Sequence, residues 1–422
     1  MSSPQETYRP AFPDHPRAPY THVSYGLPFS EACTKHVNET FNASKAYILA
    51  STSLFQHTDH VKNLEAALAS NHVGTWTGVR PHTPWDDLIP IINDMREKEA
   101  DCLITLGGGS LTDGAKVIIY ALANDVKTVE DLEAMVEQSE KDKKIGNEFR
   151  DRSTGKEPSI PIICIPTTLS AGEYSRFGGG TNPRTHQKSI VTHPKMFPSL
   201  VILDPALCTT TPEWVWLSTG VRSIDHCVEG MCSLQSIPEV DVAAEKSLGM
   251  LLCGLLRTKK NHEDLEARLQ CQLAANYILV MLLYAPEILL AGGSHGIGHQ
   301  LGPMGVGHGQ TSCVLLPAVL KYNKRVNGEK QEHVKRIIWG EMEVVEVLER
   351  AGLKQENSDA SDALRIVFNE LGMPASLKEV GVVREKFDVI ARNSLKDPCC
   401  VVNPVPLREE AQVLEILEMV VD

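Results

Sequence analysis

The second half of the chain carries five residues suited to moving protons and holding anions. His295 and His299 stand four apart in Ser294-His295-Gly296-Ile297-Gly298-His299, and His308 follows nine residues later between two glycines. Upstream, Arg222 and His226 are also four apart. Residues at that spacing share a helix face, so each pair presents its side chains together. A lone histidine is ordinarily a packing residue. Two such pairs flanking a long apolar segment instead point to a cleft, where imidazoles exchange protons and a guanidinium holds an anion. Asp225 precedes His226, and neighbouring helical positions turn about 100° apart, so it is expected to face elsewhere. Glu229, one turn beyond Asp225, is expected to be solvated or paired on that outer face.

The first half has its own candidates. An apolar run over 102–106 passes straight into Gly107-Gly108-Gly109-Ser110, with Asp113 and Lys116 on the helix that should follow. Glycines let backbone N–H groups approach a pyrophosphate, and a helix N-terminus adds partial positive charge there. The run lacks the usual G-x-G-x-x-G spacing, and a plain strand-to-helix turn would use the same residues. A second run over 160–165 ends in Pro166-Thr167-Thr168, followed by Ser170, Gly172 and Glu173. Hydroxyls at the carboxyl end of a parallel strand lie where open α/β sheets bind ligands; Thr168 capping a helix is the alternative. Ser51 and Thr52, closing the run that begins at Ala46, are candidates for the adenosine side of a cofactor. The turn after Ser51 has neither a clear acid for a ribose hydroxyl nor an arginine cluster for a phosphate, so NADH and NADPH both stay open.

Positioning these residues requires two kinds of architecture. Continuous apolar runs over 46–51, 102–106, 160–165 and 200–203 are of the type buried on both faces of a parallel sheet. Helical patterns over 61–70 and 85–98 alternate with them, which predicts an α/β domain with a Rossmann-like, doubly wound sheet. Residues 127–157 are charge-rich and read as a helix plus a solvated loop. After Asp204-Pro205 the pattern becomes helical, with long runs over 240–257, 264–285 and 337–351. The expected division is a Pro-rich extended arm at 1–24, a nucleotide-binding α/β domain at 25–205, and an all-helical substrate domain at 206–422.

The order and spacing of several segments resemble the iron-containing alcohol dehydrogenase superfamily. They are Gly107-Gly108-Gly109-Ser110-x-x-Asp113-x-x-Lys116, Pro166-Thr167-Thr168, Leu203-Asp204-Pro205, the stretch 220–229, and His295 to His308 followed by Leu316-Pro317. The likeness covers most of the chain, from about Tyr25 to beyond Pro317. It implies a dehydroquinate synthase-like fold, with NAD(P) meeting substrate in a cleft between the domains. In the metal-dependent branch an aspartate four residues before His226 would join His226, His295 and His308 around a divalent ion. This chain has Arg222 there, and a guanidinium cannot ligate a cation. Pointing inward, it would meet a dication about 4 Å away with roughly 8 kcal/mol of repulsion at an effective dielectric near 20. The short segment Thr167-Thr168-Leu169-Ser170-Ala171-Gly172-Glu173 resembles the spacing of maleylacetate reductases, which work without metal but typically carry Asn at the place of Arg222.

The resemblance to that branch implies an NADH- or NADPH-dependent reduction of an oxo acid or conjugated carbonyl compound, with no metal. The cluster Arg222, His226, His295, His299 and His308 would stabilise developing alkoxide charge, with His299 giving the proton and Arg222 holding an anionic substrate. Family analogy brings Lys188 to the cofactor. Two other readings stand beside this one: a metal-dependent alcohol dehydrogenase with Fe2+ or Zn2+ on His226, His295 and His308, and a scaffold turned to non-redox catalysis or binding.

Composition narrows the setting. Lys+Arg 41 against Asp+Glu 54 leaves a net charge of −13, which argues against a nucleic-acid backbone binder. Eleven cysteines without a C-x-x-C framework suit a reducing, cytoplasmic setting. The segment 273–291 approaches the ~20 apolar residues of a membrane span, but Asn276, Pro286 and Glu287 interrupt it, and a buried helix is the expected outcome. The family likeness suggests a homodimer acting on a small molecule.

Overall fold

The structure is a computed structural model that describes residues 5–13, 15, 20–80, 83–145, 155–185, 188–284 and 288–422, without the side chains of 139–145 and 188. The chain divides into two compact units, Met1–Thr210 and Thr211–Asp422.

The first unit contains the strands β1 (Thr7–Pro10), β2 (His22–Tyr25), β3 (Ala46–Ala50), β4 (His72–Thr77), β5 (Cys102–Gly107), β6 (Ile162–Pro166), β7 (Phe177–Thr181), β8 (Lys188–Thr192) and β9 (Leu200–Leu203). Its helices are α1 (Phe29–Glu39), α2 (Thr52–His57), α3 (His60–Leu68), α4 (Trp85–Glu97), α5 (Gly109–Ala123) and α6 (Val129–Ile145). Seven strands form one sheet in the order β1-β2-β9-β6-β5-β3-β4, parallel except for β1. The four strands expected from apolar runs are its centre, and every residue in them is buried. Phe29, Val37 and Leu64 from α1 and α3 pack on the face that carries Ile48, Ile104, Ile163 and Ile202.

From β3 the chain goes outward to β4 and then returns to β5 on the other side of β3. The direction of winding therefore reverses between β3 and β5. In open α/β sheets that reversal opens a crevice beyond the carboxyl ends of the two strands, and Ser51 and Gly107 are the residues that stand there.

Several expectations need correction. The proline-rich start is not a separate arm over its whole length: β1 and β2 extend the sheet, with Pro10 opposite His22 on the outermost strand, where a missing N–H costs no ladder bond. Glu6 ties this hairpin down by accepting from Ser24 Oγ at 2.5 Å and pairing with Lys35 and His36 at 2.6 and 2.7 Å. The antiparallel ribbon β7–β8 was not expected, because Phe177-Gly178-Gly179-Gly180-Thr181 has little β propensity. Its glycines permit close packing: a Cβ on Gly178 would lie 3.2 Å from Lys116 Cβ and Val117 Cγ2. In the charge-rich stretch, α6 is described, while 146–154 lie outside the described residues.

Among its described residues the second unit is helical and has no strand. Its helices are α7 (Glu213–Cys232), α8 (Pro238–Lys260), α9 (Leu265–Ile278), α10 (Gly293–Leu301), α11 (His308–Ile338), α12 (Met342–Arg350), α13 (Ala360–Glu370), α14 (Phe387–Ser394), α15 (Pro398–Val402) and α16 (Glu410–Glu418). The continuous helix expected over 337–351 is instead broken between α11 and α12, where Gly340 N–H turns back to Ile337 O at 3.0 Å. The apolar stretch after α9 tightens into a 3-10 turn over Leu279–Leu283, and no helix among the described residues is long and apolar enough to cross a membrane. Pro317 lies inside α11, and the carbonyl it cannot serve is satisfied from another helix. Lacking an N–H, it cannot bond Cys313 O four residues back, and Arg365 of α13 donates Nη1 there at 3.1 Å and Nη2 to Val314 O at 3.0 Å.

Candidate active site

In the first unit, β5 delivers the glycine turn. Gly107 has φ +147, and a Cβ on it would lie 2.7 Å from Leu111 Cδ1 and 2.9 Å from Ser51 Cβ, so only glycine fits. Gly108 is the N-cap of α5 and has no side chain to satisfy the first N–H groups of Gly109, Ser110 and the residues that follow. An anion can take that place. Thr167 N–H bonds Gly107 O at 3.1 Å, and Thr168 Oγ1 donates to Ser170 Oγ at 3.1 Å, which holds the two turns side by side. Thr168 therefore caps no helix. Asp113, on the first turns of α5, is partly exposed and lies 3.7 Å from Lys116 Nζ.

Lys116 points inward. Its buried Nζ donates to Gly172 O at 2.6 Å, Phe177 O at 2.9 Å and Ser175 Oγ at 3.2 Å, fastening the segment after β6 to the helix of the glycine turn. Beside it, burial pushes the Glu173 carboxyl up to about 7, although the Lys116 charge opposes that rise.

Ser51 caps α2 by accepting from Leu54 N–H at 3.3 Å. Thr52 lines a cavity of about 600 Å3 with Trp76, Arg80, Asp86 and Asp87, where both aspartates pair with the Arg80 guanidinium at 2.6 Å. Lys188 opens β8, and its side chain lies outside the described residues.

In the second unit, α7 places Arg222, Asp225, His226 and Glu229 at positions i, i+3, i+4 and i+7, along one side. Glycines on α10 and α11 bring the remaining groups in. A Cβ on Gly296 would lie 2.4 Å from Cys400 Sγ, one on Gly298 2.9 Å from Thr311 Oγ1, and one on Gly309 2.5 Å from the Ser218 backbone. Gly296 and Gly298, between the two histidines, lack side chains because α10 lies against both α15 and α11.

Four imidazoles run in series: ring centroids are 4.7 Å apart for His226 and His295, 6.5 Å for His295 and His299, and 6.3 Å for His299 and His308. Arg222 joins them, its Nη1 donating to Ser312 Oγ at 3.1 Å and lying 3.6 Å from Asp225 Oδ2. The five residues expected to converge are thus brought together in one unit.

Asp225 and Glu229 do not behave as expected. Asp225 Oδ2 accepts from Ser312 Oγ at 2.5 Å and Ser294 Oγ at 3.0 Å, and lies 3.3 Å from His295 Nδ1. Glu229 accepts from Gly292 N and His295 Nδ1, both at 2.7 Å, and from Ser294 N at 2.8 Å. Both carboxyls are buried, because α7 packs against α8 and α11 on the sides that carry them. The α10 N-terminus supplies the compensation, offering N–H groups and partial positive charge to Glu229. Burial pushes both carboxyls above their ordinary range.

With its Nδ1–H donated to Glu229, His295 keeps a lone pair on Nε2. Burial, reinforced by the Arg222 charge, lowers this histidine to about 3, and burial with His295 and Arg222 lowers His226 well below 6.5. His295 Nε2, His226 Nδ1 and Asp225 Oδ1 are buried and have no hydrogen-bond partner among the described residues. His299 differs: its ring is partly exposed, and its Nδ1 lies 2.8 Å from Asp397 Oδ2. Composition and spacing did not reveal Asp397, Ser294 or Ser312. The only signal for Asp397 is its position before Pro398, an N-cap pattern that predicts a helix start but not its neighbour.

Among the described residues, ligand atoms of metal-binding type fall within 4.8 Å of one another in three groups: Asp225, Glu229 and His295; His299, Asp397 and Cys399; and Cys253, Glu341 and Glu343. The trio His226, His295 and His308 is not one of them.

The chain is thus a sheet unit with a glycine turn at its winding reversal, followed by a helical unit gathering imidazoles over buried carboxylates. Residues 27–205 match the model for iron-containing alcohol dehydrogenases, and residues 216–421 match the C-terminal model of the Fe-containing alcohol dehydrogenase family. The chain belongs to this family and is an oxidoreductase. It is 39% identical to dehydrogenase FUM7 of Gibberella moniliformis over 94% of this chain and 95% of the relative. It is 35% identical to dehydrogenase ALT3 of Alternaria alternata over 89% and 99%. A maleylacetate reductase from Agrobacterium tumefaciens shares the fold, with a TM-score of 0.72 at 20% identity over 94% of this chain and 95% of that one.

Proposed function

We propose that this dehydrogenase is an NADH- or NADPH-dependent reductase of a small anionic oxo acid or conjugated carbonyl compound, of maleylacetate reductase type, and that it works without a metal. The observation that carries the reading is Arg222. Its guanidinium lies among the imidazoles, bonded to Ser312 and 3.6 Å from Asp225, and its charge bears on both His226 and His295. That placement speaks against Fe2+ or Zn2+ on the same histidines, since a fixed cation repels a second one and supplies no lone pair.

A bound nicotinamide supplies a hydride to the carbonyl carbon. The rest belongs to the chain. The N–H groups after Gly107, Gly108 and Gly109 receive the pyrophosphate, with Ser110, Asp113, Thr167, Thr168, Ser51 and Thr52 around the nucleotide. Arg222 holds the substrate carboxylate and draws it into an otherwise acidic protein. His299 gives the proton from Nε2 to the new alkoxide oxygen and is left neutral. His226, His295 and His308 stand around the developing charge. The protein is further proposed to be a cytoplasmic homodimer with no nucleic-acid or membrane partner; its free cysteines and acidic balance support a reducing, soluble setting.

One observation favours a metal-dependent reading in which Arg222 turns away: His295 Nε2 and His226 Nδ1 are buried without partners among the described residues. Protein purified without chelator decides between the two. Oxidation of NADH or NADPH by a panel of oxo acids should survive EDTA, with substoichiometric metal by elemental analysis. One tightly held iron or zinc per chain, with turnover lost on its removal, overturns the metal-free proposal.

A further inference from the structure

We infer that Asp397 is the positioning residue that sets the protonation geometry of His299. This rests on the reading above, in which His299 is the proton donor.

The relationship is built by backbone, not by chance contact of surface charges. Asp397 is the N-cap of α15: its Oδ1 accepts from Cys399 N–H at 2.9 Å, while its own carbonyl accepts from Cys400 N at 3.1 Å. Pro398 in the first turn fixes the backbone that follows. One carboxylate oxygen is therefore committed to the helix start, and the other, Oδ2, faces His299 Nδ1 at 2.8 Å. The side chain is 12% exposed against 38% for His299, so the carboxylate is sheltered while the imidazole keeps access to solvent.

Gly296 brings α10 and α15 close enough for this. A Cβ there would lie 2.4 Å from Cys400 Sγ, 2.9 Å from Cys400 N and 3.3 Å from Asp397 Oδ1. His299 follows three residues later on the same face of α10.

An ionised carboxylate only accepts hydrogen bonds, so Nδ1 of His299 must carry a hydrogen. The exchangeable proton then belongs to Nε2. When Nε2 gives its proton to the alkoxide, the ring is left as the Nδ1–H tautomer, which the same bond to Asp397 already stabilises. No ring rotation or tautomer exchange interrupts the turnover. His295 is held in the same way by Glu229, but it is buried, and its Nδ1 partner also caps α10. The structure thus assigns one carboxylate–imidazole pair to holding the fold and the other to proton delivery.

The test is Asp397→Asn in the full chain. Asparagine keeps an oxygen for Cys399 N–H, so α15 stays capped, and it turns an amide NH2 toward His299 Nδ1. That favours the opposite neutral tautomer, Nε2–H. The expected result is a fall in kcat of about 100-fold or more, with KM and nicotinamide affinity within about twofold of wild type. The 15N spectrum of the His299 ring should change from Nδ1–H to Nε2–H. A kcat within about threefold of wild type, or a lower kcat with the tautomer unchanged, overturns the inference. If the variant does not fold, the wild-type spectrum decides alone: a neutral Nε2–H tautomer overturns it. If wild-type protein oxidises neither nicotinamide with any oxo acid, the proposed function fails separately, and the ring spectra still judge whether Asp397 sets the tautomer.

Discussion

Glu229 accepts the Nδ1 proton of His295 at 2.7 Å while its two oxygens also accept from the backbone N–H groups of Gly292 and Ser294, where α10 begins. One carboxylate thus orients an imidazole and satisfies the helix that carries it. The two tasks are inseparable, because the ring and the helix start are adjacent in the chain.

Replacing Glu229 by Ala should therefore cost both stability and activity. It leaves the buried N–H donors of Gly292 and Ser294 unpaired and His295 Nδ1 with only its longer contact to Asp225, which corresponds to a loss of about 2 to 4 kcal/mol. Urea denaturation followed by circular dichroism measures it. A variant as stable as wild type contradicts the capping role.

Arg222→Ala should raise KM for anionic oxo acids by roughly 10- to 100-fold, the value of a charge-assisted hydrogen bond in a sheltered site, and change KM for neutral aldehydes much less. Steady-state assays with paired charged and neutral substrates read this directly. Equal losses for both would remove the anion-holding role.

Gly107→Ala should weaken nicotinamide binding by tenfold or more and cost about 1 to 3 kcal/mol of stability. Its backbone has φ +147, and the added methyl would press on Leu111 and Ser51. Isothermal titration with NADH and NADPH beside a melting curve tests both parts. An unchanged affinity would mean that the turn serves the fold alone.

Glu173 makes stability depend on pH. Its ordinary value is 4.5, and burial raises it to about 7 in the folded chain. A group raised on folding favours the native state while it is protonated. Its contribution is full below pH 4.5 and lost as pH rises through 7, a decline of order 3 kcal/mol. Glu173→Gln, neutral throughout, should flatten that part of the profile in melting experiments between pH 4.5 and 8. A wild-type curve parallel to the variant's would show that Glu173 is not raised.

Much of the scaffold was legible in the chain. The runs that became β3, β5, β6 and β9 are apolar without alternation because both faces are covered, a pattern that depends on composition alone. Edge elements left weaker marks. β4 is half-buried along its whole length, β1 contains a proline, and β7 is mostly glycine, so each depends on a neighbour for its conformation.

The same contrast holds at the site. The i, i+4 spacing of Arg222 with His226 and of His295 with His299 settled which residues share a helix face, because that periodicity is local geometry. The fate of Asp225 and Glu229 was not local. Whether a carboxylate on α7 is solvated or buried depends on which helices enclose it, and the partners that make burial tolerable, Ser312, Ser294 and the α10 N-terminus, come from residues more than sixty positions away. Asp397 reaches His299 across 98 residues because a glycine lets two helices touch. Spacing decided what each helix offers; packing decided which offers meet, since the burial of a charge depends on everything that surrounds it.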